Sequence, residues 1–424
     1  MNKWRRLGGI GLALLVVGGA VVWTVPSLRE RISWRMRTWY AQAYTVINPP
    51  EKEVFLPATP RPTSPVTFAP TLSPAFTFTY TPLPPTSTPT PIASPTPTLT
   101  PTAIPAVVRL EGAIHEYQKW NNCGPATLAM LLSFWDWPGD QRNTAPFLKP
   151  DERDKNVSVD ELARYVNEQT ELRALSRVGG DLDTLKRLIA AGFPVIVERG
   201  WDDLSGEGWL GHYQLFTAYD DERQRFLAQD SLIIPDLPVP YTELHEAWRA
   251  FNNIWLVAYP PEREAEALSA LGPLADETQS IRLALDTAIV ETTTLTGREQ
   301  FFAWFNRGTN LTLLGDDAGA ALAYDEAFLL NAELAEDIRP WRMMWYQFGP
   351  YEAYYNVGRY EDVIRLATFA VGRTIEPALE ESYYWRGRAK LMQGDVAGAR
   401  ADWQTSLEWH PNYEPSLKAL EESQ

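Results

Sequence analysis

Apolar and polar positions divide the chain into stretches of different character. From Leu7 to Val25 (LGGIGLALLVVGGAVVWTV) there are 19 residues without a charge, preceded by Lys3, Arg5 and Arg6. At ~1.5 Å per residue in a helix, that run barely spans a hydrocarbon core of ~30 Å. Residues 28–48 then alternate Arg with Trp and Tyr, the pattern of a basic amphipathic segment at a membrane surface or of a solvated juxtamembrane helix. Residues 49–105 have no apolar period at all. Apolar runs of mixed period return from 109 to 260, and a purely helical period holds from 280 to 420.

Within 109–260 an apolar helix is expected directly after Cys123 (ATLAMLLSFW). A second helix is expected from Ser158, where Ser158 and Glu161 form a capping box, and a third from Asp181 to Ala191, stopped by Gly192 with Pro194 beyond. Strands are expected at 194–198 (PVIVE), 212–219 (HYQLFTAY), 225–230 (RFLAQD) and 254–259 (IWLVAY). Helices first and strands afterwards predict an α+β domain over 106–262 rather than a parallel α/β sheet.

The helical stretch repeats itself. Trp304, Gly308, Ala320, Tyr324 and Ala327 surround Gly315. Tyr351, Tyr354, Tyr360 and Ala370 surround Gly358. Tyr383, Gly387, Ala399, Trp403 and Pro411 surround Gly394. This resembles the tetratricopeptide repeat, a pair of antiparallel helices with small residues where they meet. The resemblance implies an all-α domain over 263–424 that binds a protein or peptide partner. The three glycines are 43 and 36 residues apart, against a regular period of about 34, so the middle unit carries an insertion. An ordinary helical bundle is the competing description.

Composition changes the picture mainly before residue 109. Residues 49–105 hold 17 of the 34 prolines, mostly among Thr and Ser, and Arg61 is the sole charge from Val54 to Val108. Such a segment cannot offset its ordering entropy by apolar burial, so a disordered, extended stalk is expected, with a reach on the order of 170 Å. The apolar run at 7–25 exceeds the ~7–15 residues of a signal-peptide core, and no A-x-A site follows, so an uncleaved transmembrane anchor within 1–27 is expected over a cleaved signal. A stalk of this composition suits the cell exterior. The chain is therefore expected on a bacterial cell membrane, single-pass, with both folded regions extracellular. Residues 1–48 carry about +6 of a net charge of −16. The acidic remainder argues against nucleic acid as a partner.

One cysteine excludes an internal disulfide and a thiolate metal cluster. The four histidines, at 115, 212, 245 and 410, make no metal-ligand spacing, so neither metal nor cofactor is expected. The candidate chemistry starts at Cys123 in QKWNNCGPATLAMLL. A thiol at a helix N-terminus meets unpaired N–H groups and a partial positive charge, which favour the thiolate. Gly124 leaves room for close approach, and Pro125 is tolerated in a first turn. Gln118, just upstream, can supply a side-chain N–H to an oxyanion beside the Cys123 N–H. His212 is the best base. It opens a strand after Gly208, Trp209 and Gly211, whereas His115 precedes the cysteine, His245 falls in a helix and His410 in a repeat turn. Asp230 ends the returning strand of the same hairpin and is the natural group to orient His212, with turn residues Asp220 and Asp221 as alternatives. A lone cysteine at a helix start is also an ordinary buried hydrophobe. Trp201 and Trp209 suit either a cleft or a core.

QKWNNCGPATLAM, GWLGHYQLFTAYDD, the later AQDS and the closing YTELHEAWRAFNNIWLVAYP together resemble the papain-like cysteine peptidases that process double-glycine leaders of bacteriocins, and more closely their stand-alone surface relatives. The resemblance covers roughly 109–260. It implies a papain-like fold and a peptide or protein substrate, with Cys123 as nucleophile, His212 as base, Asp230 as its orienting group and Gln118 in the oxyanion hole. Ser231 departs from the Pro that often follows the aspartate, and no transporter is attached. The expected activity is a membrane-tethered cysteine peptidase. An acyl-transfer enzyme acting on cell-wall peptides would use the same residues. A non-catalytic peptidase-like scaffold, with the repeats as binding element, is the reading from a different class.

Overall fold

The computed structural model describes residues 52–58, 104–203, 208–374 and 376–423, with isolated positions 24, 32, 36, 39 and 40. The expected anchor, the juxtamembrane segment and nearly all of the stalk lie outside the described residues. Among the described residues no helix is long and apolar enough to cross a membrane.

The first folded region runs β1 (Val107–Arg109), α1 (Cys123–Phe134), α2 (Gln141–Leu148), α3 (Val159–Gln169), β2 (Arg173–Arg177), α4 (Leu182–Ala190), β3 (Val195–Asp203), β4 (Gly208–Asp220), β5 (Arg225–Gln229), β6 (Leu237–Pro240), α5 (Tyr241–Arg249) and β7 (Trp255–Tyr259). The strands form one sheet in the order β2-β7-β3-β4-β5-β6, with β1 also on β4. Every pairing is antiparallel. This is the α+β arrangement the element order predicts. The capping box at Ser158 closes in both directions, Ser158 Oγ accepting from the Glu161 N–H and Glu161 accepting from the Ser158 N–H. Asp181 caps α4, and Gly192 follows it at φ +86°.

Four elements escaped the sequence reading, among them the three-residue β1. β2 and α2 lack a strong apolar period, and β6 (LPVP) holds two prolines, which cannot donate to a ladder and so sit on an edge strand. One expectation needs correction. His212 does not open its strand, because β4 begins at Gly208, and Gly208 to Gly211 pair with β3 rather than forming a turn.

The sheet is covered on both faces. α1 is buried along nearly its whole length, which explains its unbroken apolar sequence; it packs with α3 on Ile196, Leu215 and Leu256. On the other face Leu185, Leu188 and Ile189 of α4 and Leu244 and Trp248 of α5 cover Val195, Val197, Phe216 and Val257. Burial of such side chains stabilises by about 1.5–3 kcal/mol each.

The second region is helical: α6 (Glu264–Leu271), α7 (Glu277–Thr294), α8 (Gly297–Leu313), α9 (Asp317–Glu333), α10 (Met343–Tyr346), α11 (Gly349–Asn356), α12 (Tyr360–Val371), α13 (Glu380–Met392), α14 (Val396–Trp409) and α15 (Glu414–Glu422). Gly315, Gly358 and Gly394 follow α8, α11 and α13 at φ +80°, +78° and +84°, the left-handed conformation that ends a helix. Close approach explains two further glycines. A Cβ on Gly308 would come within 2.7 Å of the Tyr324 ring, and one on Gly387 within 2.5 Å of the Trp403 ring. These equivalent contacts join α8 to α9 and α13 to α14. The lengthened middle unit holds α10, which leaves the helical stack to lie on the sheet region.

The two regions share a core. Trp209, Ala250 and Phe251 pack with Phe301, Phe302, Tyr324 and Met343. Part of the expected stalk is also committed to the fold. Phe55 is buried against Phe328 and Phe369, and the Ala58 N–H donates to Asp362 at 2.6 Å. The Pro/Thr-rich composition that follows Phe55 made it look unattached; an aromatic ring packed on Phe328 and Phe369 anchors it.

Candidate active site

Cys123 is the first residue of α1 and is half-buried. The turn before it is held by polar bonds. Asn121 has φ +50°; its carbonyl accepts from Lys149 Nζ, and its amide donates to the Asp154 carbonyl. Asn122 is buried and donates to Gln141 Oε1 at 2.8 Å. Gln141 Oε1 also accepts from the Lys119 N–H, and its amide donates to the Tyr117 carbonyl and to Glu116. One side chain of α2 thus fixes the whole loop from 116 to 122.

Gln118 is set by Ser231. The Gln118 N–H donates to the Ser231 carbonyl, and Ser231 Oγ donates to Gln118 Oε1, both at 2.8 Å. With its oxygen occupied, the Gln118 side chain has its amide nitrogen left to serve as a donor. Ser231, a departure from the expected Pro, is therefore a positioning residue for Gln118.

His212 is the fifth residue of β4, paired with Arg199 of β3, and is almost fully buried. Its Nε2 lies 3.0 Å from Oδ2 of the fully buried Asp230, directly after β5. That leaves Nδ1 free of Asp230, and His212 lowers the Cys123 thiol. Asp230 Oδ2 also accepts from Gln214 Nε2 at 2.7 Å, and Oδ1 accepts from the Leu232 and Ile233 N–H groups at 2.8 Å each. Gln214 lies two residues along β4, on the same face as His212. Trp201 covers the imidazole with ring centroids 5.2 Å apart.

The electrostatics follow from this wiring. Burial pushes the His212 imidazole down, but its bonds to Asp230 and Cys123 outweigh that and raise it to about 9. Burial pushes Asp230 up, yet the His212 and Gln214 bonds hold it well below the ordinary carboxylate range. Burial likewise raises the Cys123 thiol. The hydrogen bond and charge of His212, the Tyr213 N–H and the charge of Lys149 overcome it, so the thiol is lowered. A lowered thiol beside a raised imidazole is the condition for a thiolate–imidazolium pair.

The other candidates lie apart. Asp220 accepts from the Arg223 N–H and guanidinium as a turn residue, and Asp221 accepts from the Tyr241 hydroxyl. Trp209 is core. His245 sits on α5 beside Arg249. His115 does touch the site, its Nε2 lying 2.8 Å from the Asp230 carbonyl. His410 is buried against Glu380, not open in a turn.

A further contribution comes from the lengthened helical unit. The ring of Tyr346 packs beside Gly211, 5.5 Å from Phe251 and 6.0 Å from Trp209. Arg342 Nη1 donates to the Trp209 carbonyl at 2.9 Å. A Cβ on Gly211 would come within 2.6 Å of Phe251 and 3.1 Å of Tyr346, which explains that glycine beside His212. The period-2 spacing of Gln214 from His212 was readable in the sequence. The Ser231 and Tyr346 contacts carried no signal there.

Residues 103–257 match the Peptidase_C39 like family. No curated protein matches the chain. Among solved structures, a candidate C39-like peptidase from Bacillus anthracis is similar at 16% identity, over 36% of this chain and 97% of its own, with a TM-score of 0.30.

Proposed function

We propose that the region around 106–262 is a cysteine peptidase in which Cys123 attacks a peptide carbonyl. The observation that carries this is the bond between His212 Nε2 and Asp230 Oδ2, in an imidazole whose neighbourhood lowers the Cys123 thiol. The match to a peptidase family over the same residues supports it. In this mechanism the Cys123 thiolate forms a bond to the carbonyl carbon. The oxyanion is held by the Cys123 N–H and the Gln118 amide. The His212 imidazolium protonates the leaving amine, and the neutral ring then takes a proton from the water that hydrolyses the thioester. Asp230 keeps the ring oriented and its charged form stable.

The substrate is a peptide or an unfolded segment of protein. Ile114 and Tyr117 beside Gln118, and Leu232 to Ile234 beside Ser231, are exposed apolar side chains flanking the donor. The helical hairpins bear the tetratricopeptide-type pairing of small and aromatic residues and serve to bind a protein or peptide. The apolar run at 7–25 tethers the chain to the membrane, with both folded regions outside the cell. The test is incubation of the full chain, and of its Cys123→Ala variant, with a peptide library read by mass spectrometry. Cleavage by the first alone supports the reading; no cleavage by either, or equal cleavage by both, removes it.

A further inference from the structure

Away from the thiol, three buried side chains converge on the seam between the two regions. Asp154 comes from the loop after α2, Glu380 opens α13, and His410 follows α14. Each is at least nine-tenths buried. One oxygen or nitrogen from each lies within 4.8 Å of the others. Tetrahedral ligation at about 2.0–2.2 Å puts ligand atoms about 3.3–3.6 Å apart, so an inward movement of about 1 Å brings the three onto one ion.

The bonding within the cluster is incomplete. His410 Nδ1 lies 2.7 Å from Glu380 Oε1, and Asp154 Oδ1 accepts from the Asn156 N–H. Asp154 Oδ2 and Glu380 Oε2, both buried, have no hydrogen-bond partner. Buried carboxylate oxygens in that state are costly unless a cation meets them. Glu161 and Glu381 lie half-buried close by. Lys149 is near enough to act on Asp154, but its ammonium is bonded to the Asn121 carbonyl.

We propose that Asp154, Glu380 and His410 form a structural site for a divalent transition-metal ion. Two carboxylates and an imidazole are a borderline donor set that favours Zn²⁺ over Ca²⁺ or Mg²⁺, which prefer oxygen donors throughout. The ion clamps the 150–156 loop to the helical region. The seam is already formed around it. The Lys155 N–H donates to the Ala378 carbonyl, and the Arg153 guanidinium lies 4.6 Å from the Trp409 ring centroid. Through the bond from Asn121 to the Asp154 carbonyl, the site also supports the turn that carries Cys123.

The test uses the full chain carrying Cys123→Ala, so that a thiol–imidazole pair cannot capture the metal. After chelator treatment the chain is titrated with Zn²⁺, then desalted for elemental analysis and thermal melting. The expected result is about one Zn²⁺ per chain and a rise of several degrees in Tm. Asp154→Asn and Glu380→Gln should each remove most of that binding. If either variant fails to fold, the titration of the parent chain still decides. Less than about a tenth of an equivalent with no change in Tm overturns the proposal. So does stabilisation by Ca²⁺ or Mg²⁺ alone, or full Zn²⁺ binding by a folded Asp154→Asn chain. A cluster filled by a proton instead would show pH-dependent melting with no response to metal.

Discussion

The sheet region and the helical region bury different things. Around β4 the interior holds His212, Gln214, Asp230, Arg199 and Glu198, each of them costly without a partner. At the close helix–helix contacts of the hairpins, rings lie on glycine, as Tyr324 on Gly308 and Trp403 on Gly387. The first arrangement is a wired site in which losing one member leaves another buried and unpaired. The second is packing, in which loss opens a void. The difference teaches where a substitution should cost chemistry and where it should cost stability.

The largest expected break is Cys123→Ala. Peptide hydrolysis should fall by ~10⁴-fold or more while Tm changes little, because the thiol is only half-buried. Asp230→Asn should cost on the order of 10²–10³-fold in kcat by removing the charge that orients His212. Gln118→Ala should cost about 10²-fold in kcat, as expected for one oxyanion donor. Ser231→Ala should cost about tenfold in kcat, with little effect on KM, because it frees the Gln118 amide without removing it. In the helical region the effects reverse. Trp403→Ala should destabilise by about 3–5 kcal/mol, and Gly308→Ala by about 1–3 kcal/mol, measured by thermal melting. Neither should alter the alkylation rate of Cys123. A helical substitution that slowed the thiol as strongly as Asp230→Asn would erase the contrast.

Much of the site was legible because its chemistry demands residue types in a fixed chain order. A thiol opening an apolar helix, a histidine on the following hairpin and an aspartate at its return could be read from spacing. The capping box at Ser158 was legible for the same local reason. What escaped depends on side chains meeting across long separations. Gln141 gathers the loop before Cys123, Ser231 turns Gln118, and Tyr346 reaches Gly211 from a lengthened helical unit. His410 looked like a turn residue because its partners, Glu380 and Asp154, are brought to it only by folding. The start of β4 was misplaced because glycines usually break strands; here Gly211 stays in the strand to admit Phe251 and Tyr346.

A smaller effect sharpens the same contrast through pH. His212 rises from an ordinary 6.5 to about 9. Its charged form therefore adds stability that is full below about 6.5 and lost as pH rises through about 9. Peptide hydrolysis should be bell-shaped, its acid limb set by the lowered Cys123 thiol and its alkaline limb near 9 by His212. Asp230→Asn should draw the alkaline limb downward, whereas Trp403→Ala should leave both limbs in place.

The central claim is that Cys123 is a thiolate held by His212. The rate of iodoacetamide alkylation of Cys123 at pH 6.5, in the full chain and in His212→Ala, tests it most directly. The account predicts alkylation well above that of free cysteine for the native chain, and a large fall toward the free-cysteine rate in the variant. Equal rates in the two chains, with the native rate no faster than free cysteine, would contradict it.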